Sequence, residues 1–492
     1  MSETRVRVLD LIERLPARER EVSARLTQAF DDAGEELYLV GGIVRDLLLG
    51  RERADLDFTT SSVPARTKAI GALAQPDSIY TVGEEYGTVG FVFSADGQPD
   101  ILAEITSYRS EVYPTEDRHP LVTHGVDLIE DLSRRDFTIN AMALNPVTGD
   151  LVDPFGGISD LAQREIIAVG DPVERFNEDP LRVLRAARFA AQLDFDIAHG
   201  TLEAMRAVGP QLARISRERV AIELNRLLVG VAPARGLWAL HRADLIRHIL
   251  PELQPMADDD RDGGSARHKD IWEHTVRVVE QSPPWLAVRW AALLHDAAKP
   301  MTRSVDERGE VHFFGHELAG ADLSRKLMRR LKQEKALEER VRRLVAMHLR
   351  AAGYDDSWTD SAVRRLALEA DNVFDDLLDL AAADVTSARP AKVVAARARV
   401  AGLRAHFERL QEQAALDVLQ SPLDGDELMA MFELPPGIWI KIVKDRLREL
   451  VIDDELTIGD KTTAERLAGD WLAAPDEELA VALAQTRRTR AN

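Results

Sequence analysis

The chain contains no cysteine. Disulfides and thiolate metal sites are therefore excluded, and the composition agrees with a reducing compartment. It also lacks any apolar run approaching the roughly 18 to 20 residues that span a bilayer, and it shows no short repeat and no long low-complexity tract. The stretch MSETRVRVLDLIERLPARERE is charged throughout. It is expected to form an amphipathic first helix, and the chain is expected to be cytoplasmic. Basic residues are outnumbered, with 63 lysines and arginines against 84 aspartates and glutamates and a formal net charge of -21. That balance argues against non-specific coating of nucleic acid, which rests on many phosphate contacts. It does not exclude local basic surfaces. SRKLMRRLKQEK (324–335) continues to ERVRRLVAMHLR, and SARPAKVVAARARVAGLRAH (387–406) carries Arg389, Lys392, Arg397, Arg399 and Arg404 with no acid among them. Either stretch reads as a solvated helix face or, given an RNA partner, as its contact.

What is present suits a protein of several domains with ample core: 492 residues, 45% hydrophobic and 30% charged. ELYLV, TVGFVF, DILAEITSY and EIIAVG read as strands, while VRDLLLG and residues 63–73 read as helices. This predicts an α+β or α/β domain up to about residue 170. From about Asn177 helical periodicity takes over, broken at Pro233, Pro251, Pro283, Pro284, Pro422, Pro435 and Pro436. ADDDRDGGSARHKD (257–270) reads as a linker or exposed loop.

The first chemical signal is LYLVGGIVRDLLLGRERADLDFTT, residues 37–60. Gly41 and Gly42 end an apolar strand, where glycine lets the backbone approach a phosphate, and the helix starting near Val44 aims its N-terminal N–H groups at the anion. Arg45 offers a charge-assisted contact. Asp55 and Asp57 flank Leu56, so on a strand both carboxylates project from one face while the leucine enters the core. Such a pair can hold two magnesium ions, one activating an attacking hydroxyl and one neutralising a triphosphate. Glu104 offers a third carboxylate on another predicted strand.

These residues resemble the polymerase beta-like nucleotidyltransferase superfamily, specifically the bacterial class II tRNA nucleotidyltransferases and poly(A) polymerases. RRDFTINAMA (134–143), DPFGGISDL (153–161), EDPLRVLRAARFAAQL (178–193) and SRERVAIELNRLL (216–228) follow in the family's order. The resemblance implies that Glu178, Asp179 and Arg182 template the incoming base. Asp179 and Arg182 are three apart and are expected on one helix face. There the aspartate would accept from the amino group of cytosine or adenine and the arginine would donate to the adjacent ring nitrogen. It further implies that Arg135, Asp136 and Asn140 recognise ribose and triphosphate. Phe137, Ile139 and Met142 read as core. Arg185 and Arg188 either meet phosphates or face solvent.

A second constellation comprises His274, His295, Asp296, His316, His348 and Asp384, residue types that assemble a metal site from several helices. It resembles the HD superfamily of metal-dependent phosphohydrolases, with Lys299 at the position of its usual basic residue. Ala297 and Ala298 stand where that family often has Ile-Gly, a loss of backbone freedom. DGDELMAMFELPPG (424–437) resembles a stretch that follows the HD region, with Ile440 where a glycine is common.

The resemblance implies an N-terminal helix (1–30), an α+β nucleotidyltransferase head with a mixed sheet (31–172), an all-α neck (173–256), an HD-type helical body (268–390) and a helical tail (391–492). It implies addition of CMP and AMP from CTP and ATP to a tRNA end, with Mg2+ at the head and a divalent metal of unspecified identity at the HD site. No DNA or membrane partner is expected. The basic stretches and the tail are candidates for gripping tRNA. Two alternatives stay open: a poly(A) polymerase, and an HD phosphohydrolase whose head only binds RNA.

Overall fold

The computed structural model describes residues 5–7, 9–51, 56–82, 87–112, 121–124, 127–258, 271–355, 357–385, 390–412 and 421–489. Asp55 and Arg389 lie outside them. The chain divides into two compact units, residues 1–268 with 330–333, and residues 269–329 with 334–492.

The first unit is built on an eight-stranded mixed sheet. Its strands are β1 (Arg5–Arg7), β2 (Leu37–Val40), β3 (Leu56–Thr60), β4 (Ser78–Val82), β5 (Thr88–Ala95), β6 (Gln98–Ser107), β7 (Ala143–Leu144) and β8 (Asp150–Val152). They lie in the order β1-β8-β7-β2-β3-β6-β5-β4. Neighbours are antiparallel except β3 and β6, which run parallel with Asp57 in register with Glu104. On β3 the burial alternates at its start, with Leu56 buried and Asp57 exposed, as a strand's two-residue period requires. The charged N-terminal stretch is not one helix: Arg5–Arg7 is strand β1, Leu9–Glu13 a single short turn of helix, and helix α1 (Ala17–Asp32), which buries Val22, Leu26 and Phe30, begins only after Pro16. EIIAVG departs from expectation: only Glu165–Ile166 is extended, pairing with Asp196–Ile197 outside the large sheet.

Helices follow: α2 (Gly42–Leu48), α3 (Leu128–Ser133), α4 (Pro172–Glu178), α5 (Leu181–Leu193), α6 (Arg217–Leu228) and α7 (Pro233–Arg242). Phe137 meets Phe176 and Phe189 edge to face at 6.4 and 5.7 Å between ring centroids, which joins the sheet's motif to α4 and α5. Small residues let α7 approach α5 closely. A Cβ on Gly236 would fall 2.7 Å from the carbonyl oxygen of Ala187.

In the second unit α8 (Ile271–Gln281), α9 (Leu286–Leu294), α10 (His316–Arg330), α11 (Lys335–Ala352) and α12 (Phe374–Ala383) bury Trp272 and Trp290 completely. The tail forms its own core around Trp439, Leu447, Leu428 and Leu479, and Ile440 packs partly buried against it. The basic stretch from 324 is largely neutralised in place: Arg329 pairs with Glu338, Arg340 with Asp376 and Arg342 with Glu339. In the second stretch Arg404 pairs with Asp375 and Asp379. Among the described residues, no helix is long and apolar enough to cross a membrane.

The close approach at Gly236 predicts that Gly236→Ala will cost about 1–3 kcal/mol through overpacking. Denaturant melts of both proteins test it, and an unchanged midpoint would contradict the packing.

Candidate functional site

Gly41 caps α2 with φ +74°, and a Cβ there would lie 3.2 Å from Arg135 Nη1. Glycine is needed twice over, for the left-handed backbone and for the approach of the guanidinium. Asp57 projects from β3 beside Glu104 on β6. The Glu104 carboxylate also accepts a 3.3 Å hydrogen bond from the Tyr80 hydroxyl. With Asp57, Gly41 and Gly42 on its wall, a cavity of about 680 Å³ opens, lined by eight arginines and three aspartates. Such a surplus of fixed positive charge suits a polyanion.

The arginines are held by specific partners. Arg45 is buried; its guanidinium bonds Asp46 at 2.9 Å and donates to Asn140 Oδ1 at 2.7 Å. Asn140 in turn donates to Asp136 at 3.0 Å, and Arg185 Nε donates to Asp136 at 2.7 Å. Burial pushes the Asp136 carboxyl up, but the Arg185 charge and the bonds from Asn140 and Arg185 outweigh it and hold it at about 2. Arg188 is buried against Glu223, 3.1 Å away, and burial lowers its guanidinium to about 10 against the pull of that carboxylate. Arg185 and Arg188 both line the cavity, so neither is a plain solvent-facing residue. Phe137, Ile139 and Met142 are fully buried.

One expectation is corrected. Asp179 and Arg182 do not share a helix: Asp179 is the extended residue that ends α4, with φ −136° and ψ 101°, and α5 starts after Pro180. Proline disfavours the helical region for the residue before it, which breaks the helix between the two. Nor do their side chains pair. Asp179 Oδ2 accepts from Arg219 at 3.0 Å, whereas Arg182 donates to Glu178 at 2.6 Å and to the carbonyls of Arg175 and Arg134 at 3.0 and 2.8 Å. Both still line the cavity. Sequence reasoning assigned no role to Asp131, Arg134, Arg219, Arg226 or Glu223. For Arg134, Arg219, Glu223 and Arg226 the signal lay in the RRDFTINAMA and SRERVAIELNRLL segments, and Asp131 stands three residues before the first; these charges gain meaning only once the fold juxtaposes them.

In the second unit all six expected ligands converge. His274, His295 and Asp384 form one triad and Asp296, His316 and His348 another, each with ligand atoms within 4.8 Å of one another. His274 Nε2 lies 3.1 Å from Asp384 and 3.3 Å from Asp296. His295, His316 and His348 each turn Nδ1 to the carbonyl three residues earlier, at 2.7–2.8 Å. That orientation leaves Nε2 for a metal, as backbone partners commonly do for ligating histidines. The buried Asp296 Oδ1, His316 Nε2 and His348 Nε2 make no hydrogen bond among the described residues, so the donor set fits a divalent cation. Burial lowers the His295 pKa, but Asp296 and Asp384 more than reverse this and raise it to about 10, whereas burial and the His295 charge lower His348 to about 4. Lys299 donates to Asp296 at 2.6 Å. Ala298 sits in the ordinary right-handed region, φ −91° and ψ −2°, so the missing glycine imposes no backbone strain.

Residues 37–167 match the poly A polymerase head domain, 194–256 the probable RNA and SrmB-binding site of polymerase A, and 271–389 the HD domain. Residues 37–167 thus match a poly A polymerase head domain, and an HD domain match follows it. The chain is 43% identical over 225 residues to a CCA-adding enzyme of Leuconostoc citreum, covering 46% of this chain and 53% of the relative. It is 43% identical over 288 residues to one of Streptococcus gordonii, covering 58% and 65%. The chain thus spans about half to two thirds of the length of these relatives. The solved Bacillus stearothermophilus CCA-adding enzyme in complex with CTP superposes with a TM-score of 0.64 at 28% identity, covering 90% of this chain and 94% of that one. An α+β head followed by an all-α neck, a helical HD body and a helical tail is the fold these likenesses share with the chain.

Two predictions follow from the side chains. Because the folded Asp136 value of about 2 lies below the ordinary 3.8, its stabilisation is complete above 3.8 and is lost as pH falls through about 2. Urea midpoints measured from about pH 5 down to about pH 2 should fall further for the native chain than for Asp136→Asn; parallel curves would refute the assignment. Elemental analysis should find a stoichiometric divalent metal, absent from the His295→Ala, Asp296→Ala double variant. Equal metal contents would rule out the cluster as its site.

Proposed function

We propose that this chain is a template-independent CCA-adding tRNA nucleotidyltransferase of the cytoplasm, transferring CMP and AMP from CTP and ATP. The observation that carries this reading is the parallel register that sets Asp57 beside Glu104 at the wall of an arginine-lined cavity. The terminal hydroxyl of the RNA attacks the α-phosphate in line and pyrophosphate leaves. Asp57 and Glu104, with Asp55, are the residues that would hold Mg2+, which when bound lowers the barrier to deprotonating that hydroxyl and neutralises developing phosphate charge. The Gly41–Gly42 loop, Arg135 and Arg185 receive the triphosphate. Arg45, Asp136 and Asn140 act behind them, fixing the arginines in place.

Base choice falls to Asp179 and Arg182. In this reading the amino group of cytosine or adenine takes the place of Arg219 at Asp179, and the adjacent ring nitrogen that of Glu178 at Arg182. Uracil and guanine present the opposite hydrogen-bonding pattern at that edge and leave both groups unpaired. The name of the head domain itself favours a second reading, a poly(A) polymerase. For the HD cluster we propose accessory metal-dependent phosphohydrolysis, with Lys299 beside the ligands as the phosphate-facing cation.

A tRNA transcript lacking CCA, incubated with the chain and Mg2+, should grow by two nucleotides with CTP and by a third when ATP is added. A long ladder with ATP alone would instead establish the poly(A) reading. Asp57→Ala should reduce extension to background while leaving any HD hydrolysis intact; persistence of extension would overturn the catalytic assignment.

A further inference from the structure

Asp131 has no part in the chemistry above, yet it is completely buried, at 0% exposure, near the end of the short helix α3. A carboxylate in that position is costly unless each oxygen is bonded. Here both are. Oδ2 accepts from the Thr59 hydroxyl at 3.1 Å and lies 3.5 Å from Arg135 Nη2. Oδ1 accepts from Arg134 Nη2 at 2.9 Å and Nε at 3.1 Å, and from the Arg109 backbone N–H at 3.4 Å. Burial pushes this carboxyl up, but Arg135 and Arg134 more than compensate and keep it below its ordinary range, so it stays ionised.

The groups it joins belong to two segments that each carry cavity-lining residues. Thr59 is two residues beyond Asp57 on β3, and so belongs to the strand that carries the carboxylate. Residues 134–136 line the cavity too, and each touches the nucleotide machinery. The Arg134 carbonyl accepts from Arg182, the base-reading arginine, at 2.8 Å. Arg135 stands against the Gly41 loop. Asp136 holds Arg185 at 2.7 Å.

We infer that Asp131 is a positioning residue that sets the nucleotide's triphosphate and base against the catalytic strand, by tying Thr59 on β3 to the 134–136 segment. The inference rests on the nucleotidyltransferase reading and deepens it. One buried charge thereby indexes both ends of the nucleotide. Its loss weakens binding of CTP and ATP alike and loosens base choice, while the RNA acceptor is untouched.

The test uses the full chain with Asp131→Asn, which keeps the side chain's shape but removes the charge and turns one acceptor into a donor facing the guanidiniums. Calorimetric Kd values for CTP and ATP should rise about ten- to hundredfold, the range of a hydrogen bond between charged groups. In extension assays KM for the nucleotide should rise in step, kcat should change far less, KM for the tRNA should hold, and misincorporation of UTP should increase. A double-mutant cycle guards against simple misfolding. Arg135→Gln should weaken CTP binding alone, and combined with Asp131→Asn it should add little, because both act through one contact. Unchanged nucleotide Kd in a folded Asp131→Asn protein, or full additivity in the cycle, would overturn the inference. Failure of the native chain to bind CTP or ATP at all would instead remove the nucleotidyltransferase reading on which it stands.

Discussion

Crowding of like charge is the constraint on which the first unit depends. Eight arginines line one cavity of about 680 Å³, and at such spacing their mutual repulsion is worth several kcal/mol wherever water is thinned out. The fold answers with a carboxylate against each of six of them: Asp46 for Arg45, Asp131 for Arg134 and Arg135, Asp136 for Arg185, Glu178 for Arg182 and Glu223 for Arg188. Each offsets guanidinium charge and fixes the direction of its arginine partners. A polyanion entering from the front meets donors already oriented, so little side-chain entropy remains to be lost on binding.

The second unit solves the opposite problem with the same logic. In the HD cluster two carboxylates and four imidazoles crowd together, an excess of acceptors: Asp296 and Asp384 raise His295, and among the described residues Asp296 Oδ1 and the Nε2 atoms of His316 and His348 make no hydrogen bond. A cation resolves that excess. Backbone carbonyls orient three of the rings in advance, as the carboxylates orient arginines in the head. Both sites are therefore preorganised by hydrogen-bonded partners.

Much of this was legible in residue order because the chemistry is local. Gly41 follows an apolar strand, Asp57 alternates with Leu56, and the histidines sit in helical segments whose periodicity is plain. The hinge at Asp179 was misread although Pro180 marked it, because an i, i+3 spacing was trusted over proline's effect on its neighbour. The roles of Asp131, Arg219 and Glu223 were not legible. Each is an ordinary charged residue in a helix, and its partner is contributed by a distant segment: Thr59 for Asp131, Asp179 for Arg219, Arg188 for Glu223.

By itself, the sequence determined the α+β head and the helical remainder, since hydrophobic period and turn residues act over a few positions. It also determined which residue types could bind metal or phosphate. Tertiary structure alone decided which groups are free to do so. The parallel pairing of β3 with β6, across more than forty residues of chain, brings Glu104 to Asp57. The packing of α5 against the 134–136 segment, and of α6 against α5, commits Arg185 to Asp136 and Arg188 to Glu223 and leaves the cavity's charge where it is. Register and burial are properties of pairs of segments, and no single segment carries them.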